Sequence, residues 1–254
     1  MPLVIAVVAS GRGQGKTTLV ELLCRALSKD LVVWTVKHVS HSFDIEEKDT
    51  WRHTEAGAAG TIAVSPEQII MLKPRREASL EDALSEIPTG VDLVIIEGFR
   101  ESVYPKVLVA RTIGEAKEQL REIEGVFAAS VGSEETGSTK VLGSIPILSQ
   151  DELVKKVREM VVTDQVRRLP RMNCKKCGYS SCDALAEAIA SGNASLRQCR
   201  VLEESDLQLL VDGNQVYLSQ FPKSFVKNVV LAMVGTLKGV DHDTMARVSI
   251  ELKV

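Results

Sequence analysis

The chain opens on Leu3-Val4-Ile5-Ala6-Val7-Val8-Ala9 and runs directly into Ser10-Gly11-Arg12-Gly13-Gln14-Gly15-Lys16-Thr17-Thr18. Beyond that turn Leu19, Val20, Leu23 and Leu27 recur at helical spacing. A buried strand, a glycine-rich turn and a helix N-terminus, in that order, make a P-loop. Its backbone N–H groups point inward, and the helix dipole favours an anion, so the turn is a ready site for the phosphates of a nucleotide. Gly11, Gly13, Gln14, Gly15, Lys16, Thr17 and Thr18 are the candidate phosphate-binding residues. Lys16 is placed to reach the β- and γ-phosphates, and the Thr17 hydroxyl to complete the shell of a Mg²⁺ ion. Ser10 stands where the first glycine of G-x-x-x-x-G-K-[ST] is expected, which leaves Gly11 and Gly13 to supply positive φ.

From here to about residue 165, strand-like runs alternate with helical patterns. That is the signature of an α/β domain with a mostly parallel sheet. Strands are expected at 3–9, 31–36, 61–65, 68–72, 91–97, 105–110, 125–131 and 144–148, and helices at 15–28, 50–58, 79–86, 114–122 and 150–166. In such sheets ligands sit outside the carboxyl ends of the strands. The run Val91-Asp92-Leu93-Val94-Ile95-Ile96-Glu97 ends there in an acid, so Glu97 is the candidate catalytic and Mg²⁺-side carboxylate, acting beside Lys16. Asp92, at the start of the run, reads as a solvated turn residue. The polar segment after the second strand adds Lys37 as a phosphate contact, His38 and His41 as groups that orient substrate, and Asp44 as a second Mg²⁺ carboxylate. No Asn-Lys-x-Asp element that reads guanine is present, so these residues leave GTP and ATP open.

Composition shifts at Val166-Arg167-Arg168-Leu169-Pro170-Arg171. Residues 1–165 carry a net −6 and residues 166–254 a net +3. The expected organisation is a nucleotide-binding domain at 1–165, a four-cysteine module at 166–202 and a small cap at 203–254. The cap pattern is β-β-α-β: a hairpin over 207–218, a helix over 221–237 and a strand over 248–252. No stretch approaches the ~20 apolar residues of a membrane span, and no basic region precedes the first apolar run, so a cytoplasmic protein is expected. The overall net charge of −3 points to neither nucleic acid nor membrane. Cys24 shares the apolar face of the first helix and reads as a core thiol.

Cys174, Cys177, Cys182 and Cys199 fall within 26 residues. Four thiolates suit either a [4Fe–4S] cluster or a tetrahedral Zn²⁺. The run Cys177-Gly178-x3-Cys182-x3-Ala186-x5-Gly192-x6-Cys199 resembles the small Fe–S module of several anaerobic metalloenzymes and ferredoxin-like carriers. In that pattern Gly178 permits close wrapping, Cys182 begins a helix and Gly192 ends it. Lys175, Lys176, Arg171 and Arg197 surround the ligands and offset the charge of a thiolate-bound group.

The N-terminal domain resembles the MobB family of P-loop GTPases, molybdopterin-guanine dinucleotide biosynthesis protein B. The stretches that carry the resemblance are residues 10–18, Val36-Lys37-His38-Val39-Ser40-His41, Lys48-Asp49-Thr50-Trp51-Arg52 with Glu55-Ala56-Gly57-Ala58, and Ile96-Glu97-Gly98-Phe99-Arg100 followed by Pro105-Lys106. The resemblance implies a weak, GTP-preferring GTPase, often a homodimer. Such a protein assists a partner guanylyltransferase in joining GMP to molybdopterin, giving the guanine dinucleotide form of the molybdenum or tungsten cofactor. A molybdenum or tungsten enzyme is a further candidate partner, one to which the extension beyond residue 165 could dock. The extension beyond residue 165 departs from the simplest members, and docking or redox gating is the expectation for it. A nucleotide-switched electron-transfer protein or cofactor carrier is the alternative.

Overall fold

The computed structural model describes residues 2–11, 13–39, 49–75, 77–132, 141–203, 207, 209–211, 214–218, 220–238 and 248. They fall into two compact units, Met1–Asp164 and Gln165–Val254.

Unit 1 is built on a five-stranded, all-parallel sheet. Its strands are β1 (Leu3–Val8), β2 (Val33–Lys37), β5 (Leu93–Glu97), β6 (Lys106–Ala110) and β7 (Val126–Val131), in the order β2-β5-β1-β6-β7. β1 lies at the centre, in register with β5 from Leu3↔Leu93 to Val7↔Glu97 and with β6 from Ala6↔Lys106 to Val8↔Leu108. A central parallel strand is covered on both faces, which is why β1 and β5 read as unbroken apolar runs.

Successive side chains of β1 enter two different cores. Ile5, Val7 and Ala9 join Leu19, Val20, Leu23 and Leu27 of α1 (Lys16–Leu27) and Leu153, Val157 and Val161 of α5 (Gln150–Arg167). Val4, Ala6 and Val8 meet Leu80 of α3 (Leu80–Ser85) and Ala116 of α4 (Ile113–Gln119) on the other face. Each fully buried Leu in these layers contributes about 1.5–3 kcal/mol of transfer free energy.

Three expected strands pair outside the main sheet. β3 (Thr61–Val64) and β4 (Ile69–Leu72), which follow α2 (Asp49–Glu55), form an antiparallel hairpin of their own. The 144–148 run becomes the second arm of a short hairpin, β8 (Val141–Leu142) with β9 (Ile145–Pro146), followed by a single parallel bridge from Ile147 to Ala129 of β7.

Asp92 corrects its expectation. It is buried at 5% exposure, and its Oδ2 accepts the Val32 N–H at 2.8 Å, fastening the approach to β2 against β5. Burial of that side chain is tolerated because the carboxylate is hydrogen-bonded.

Unit 2 is smaller. α6 (Cys182–Ala190) starts at Ser181, whose hydroxyl accepts the Ala184 N–H, and stops at Gly192, where φ is +76°. This is N-cap and C′-glycine chemistry. Its apolar side is Leu185 and Ile189, buried along with Leu169 and Leu196. A short helix, α7 (Arg200–Glu203), follows Cys199, then the hairpin β10 (Leu209–Val211) with β11 (Asn214–Val216), and α8 (Gln220–Gly235). The Asp212-Gly213 turn and nearly all of the expected 248–252 strand lie outside the described residues.

Candidate functional sites

In unit 1, the turn 10–15 leaves the carboxyl end of β1, and the residues that end β5 and follow β6, Glu97 and Arg111, reach Thr17 and Gly13. α1 begins on Gly15, with φ +94°, and no side chain caps its first N–H groups. Positive φ falls at Gly13 (+69°) and Gly15, whereas Gly11 is outside that region, which corrects the expected assignment. Ser10, the departure from the motif, accepts a bond from Gln14 Nε2 at 3.0 Å. The Gly11 N–H in turn donates to Gln14 Oε1 at 3.4 Å. Gln14 thus braces the first half of the turn from within. Lys16 Nζ donates to the Gly11 carbonyl at 2.5 Å, laying the ammonium across the loop. Thr17 and Thr18 follow in the first turn of α1, both exposed.

Glu97 ends β5 beside the centre of the sheet, and its carboxylate ties three elements together. It accepts the Thr17 hydroxyl at 2.8 Å and pairs with Lys37 Nζ, at the end of β2, at 3.2 Å. The Glu97 side chain is only 12% exposed, while Lys37 is half-exposed. The pair is therefore anchored on the carboxylate side and screened on the other. Lys37, expected as a phosphate contact, meets this acid from the end of β2. His38 packs against Phe99, with ring centroids 4.8 Å apart. Gly98 makes that packing possible, since a Cβ there would lie 3.0 Å from the His38 Cβ, and its φ is +99°. His41 and Asp44 lie outside the described residues.

Arg111 was not anticipated. It follows β6, and its Nη2 donates to the Gly13 carbonyl at 2.9 Å. Its own N–H is held by the Glu115 carboxylate at 2.8 Å, and Gly132 approaches its carbonyl so closely that a Cβ would come within 2.7 Å. The partners are 98 positions apart in sequence. Only the strand order brings them together, so no local pattern announces the contact.

In unit 2, Cys174, Cys177, Cys182 and Cys199 line one pocket, together with Pro170, Met172 and Leu185. Asn173 closes a reciprocal pair with Cys182: its backbone N–H donates to the sulfur at 3.4 Å, and its Oδ1 accepts the Cys182 N–H at 2.8 Å. The Cys199 sulfur accepts the N–H groups of Val201 and Leu202, yet burial holds its thiol above the usual range. The chain wraps the pocket with left-handed backbone at Arg171, Asn173 and Lys175, with φ from +49° to +58°, and at Gly178. Such non-glycine conformations cost of order 1 kcal/mol each and are concentrated where a site demands them. Among the described residues, no three His, Cys, Asp or Glu side chains close around a point that could hold one metal ion. Tyr217, after β11, lies close enough to Cys199 and Arg168 to feel their charges. Cys24 is half-buried against the α1 core, and burial raises its thiol.

Comparison with known proteins adds family information to both sites. Residues 4–145 match the family model described as "Molybdopterin guanine dinucleotide synthesis protein B", MobB, and residues 169–201 match one described as "Putative Fe-S cluster". A Methanocaldococcus jannaschii protein named "Putative molybdopterin-guanine dinucleotide biosynthesis adapter protein" is 27% identical over 248 residues, covering 95% of this chain and 94% of that one. The Haemophilus influenzae protein named "Molybdopterin-guanine dinucleotide biosynthesis adapter protein" is 35% identical over 104 residues, 39% of this chain and 58% of that one. A crystal structure of a MobB homologue from Bacillus stearothermophilus overlays with a TM-score of 0.48 at 25% identity, covering 63% of this chain and 98% of that one.

Proposed function

Because this chain belongs to the MobB family, we propose that it is a GTP-binding adapter of molybdenum or tungsten cofactor synthesis. In this reading it assists a partner guanylyltransferase in converting molybdopterin to molybdopterin guanine dinucleotide, and hydrolyses GTP slowly. The observation that supports it best is the bond from Thr17 to Glu97, which joins the phosphate turn to an acid at the end of the neighbouring strand.

The turn from Gly11 to Thr18 receives the phosphates through backbone N–H groups, and Lys16 swings from the Gly11 carbonyl to the β- and γ-oxygens. Thr17 and Glu97 fit Mg²⁺, since both offer hard oxygens already in contact. When bound, the ion supplies charge neutralisation between the β- and γ-phosphates. Arg111 steadies the Gly13 peptide while Lys37 holds Glu97 in place. The cytoplasm is the compartment that suits this chemistry, and no helix among the described residues is long and apolar enough to cross a membrane.

Residues 166–202 are the proposed [4Fe–4S] module and residues 203–254 a cap. Four sulfurs on one pocket, two of them accepting backbone N–H groups, are the donor set such a cluster takes. A single tetrahedral Zn²⁺ is the alternative that the same four thiolates could hold. The match of residues 169–201 to a model described as "Putative Fe-S cluster" supports iron and sulfide over zinc. When bound, the cluster supplies one-electron chemistry.

A homodimer is also proposed, seated on the β3–β4 hairpin, where Ile62, Val64, Ile69, Ile70 and Met71 are all exposed. Calorimetric titration with GTP and ATP on anaerobically purified protein tests the nucleotide reading. GTP binding that needs Mg²⁺ and is lost in Lys16→Ala supports it, whereas a preference for ATP or binding indifferent to Lys16 overturns it.

A further inference from the structure

The four cysteines of unit 2 are unequally covered. Cys182 and Cys199 are buried, Cys177 is half-buried and Cys174 is exposed. A group held by all four therefore turns one corner, the Cys174 corner, to solvent. Arg171, Lys175, Lys176, Arg197 and Arg200 are exposed in the same segment. Residues 166–206 hold seven Lys and Arg against five acids, Asp183, Glu187, Glu203, Glu204 and Asp206, and Asp183 is paired with Arg171. Four thiolates on a cubane core bring roughly −2 to −3. Lys175 and Lys176 follow Cys174 directly and are exposed with it, so positive charge lies beside the open sulfur rather than the covered ones.

Resting on the Fe–S reading above, we infer that the Cys174 corner, flanked by Lys175 and Lys176, is an electron-exchange face. Its partner is a protein with an acidic surface and a one-electron centre. One electron passes between the reduced cluster and the partner's oxidised centre; no protein bond forms or breaks, and no proton is required. Electron transfer weakens steeply with distance, so the exposed corner is the route, and the lysines steer an acidic surface onto it. A nucleic acid would also meet positive charge here, but it has no use for an open thiolate corner. The observations therefore favour a redox protein.

The test uses the full-length protein, purified anaerobically, reduced and freed of reductant. Two one-electron oxidants of opposite charge serve as probes: tris(oxalato)cobaltate(III), a trianion, and hexaamminecobalt(III), a trication. Each takes up one electron as Co(III) becomes Co(II), and stopped-flow recovery of the visible cluster absorption, which reduction had bleached, is followed from roughly 0.02 to 0.5 M ionic strength. The anion's rate is expected to fall with salt and the cation's to rise. Lys175→Gln combined with Lys176→Gln should slow the anion about tenfold at low salt, whereas Lys155→Gln on α5 should leave it within about twofold. Salt profiles that are flat or inverted in the wild type overturn the inference. So does stoichiometric binding of poly(U) at about 0.15 M salt, which assigns the face to nucleic acid. Absence of iron and acid-labile sulfide before any oxidant is added is a separate failure, of the Fe–S reading itself, and removes both.

Discussion

At the scale of single residues, Glu97 is the junction of the proposed nucleotide site. Its carboxylate is the shared acceptor of Thr17 and Lys37, so its removal and the removal of Lys16 have different signatures. Lys16→Ala takes away the phosphate counter-charge, and GTP affinity should drop by about a hundredfold with or without Mg²⁺. Glu97→Gln keeps the shape but loses the anionic oxygen, so affinity should fall about tenfold with Mg²⁺ and hardly at all in EDTA. Paired titrations separate the two. Arg111→Ala should weaken GTP about three- to tenfold while Arg111→Lys restores only part, because a lysine lacks the planar donor fork. The thiols also differ. In protein stripped of metal, burial raises the Cys24 and Cys199 thiols and shields them, so at pH 8 both should alkylate more slowly than Cys174, which is exposed. Raising the pH should narrow the gap, as read by mass spectrometry. The glycine turn before α1, the strand that ends at Glu97 and the grouping of the four cysteines were legible because each sits in a local pattern of type and spacing. Arg111 and the buried role of Asp92 were not, since each depends on a partner tens of residues away.

At the scale of elements, α1 connects packing to the site. Leu23 is fully buried between the helix and the sheet. Leu23→Ala should cost about 2–5 kcal/mol in chemical denaturation and loosen the turn that α1 begins. Ser181→Ala removes the N-cap of α6, at about 1 kcal/mol, and should speed loss of the metal group because Cys182 opens that helix. Element order was readable from periodicity: strands and helices of unit 1 fall close to their expected positions. Sheet membership was not. β3 and β4 show the same apolar character as the strands of the main sheet, and only their antiparallel pairing, with both faces holding exposed apolar side chains, separates them. Alternation encodes strand, not address.

At the scale of the whole molecule, two units of opposite net charge share one chain. Anaerobic iron chelation should abolish the visible absorption and destabilise unit 2 while leaving GTP affinity within about twofold, if the units carry separate stabilities. The central place of β1 has a further consequence, in the time domain. β1 is made first, yet its partners are residues 93–97 and 106–110. At translation rates of about 5–20 residues per second, an apolar strand with two open edges waits some 5–20 seconds before it can be paired. The phosphate turn attached to it gains a fixed shape only after that interval. Synthesis of this protein therefore contains a window in which its most aggregation-prone segment is already outside and its shelter is still being written.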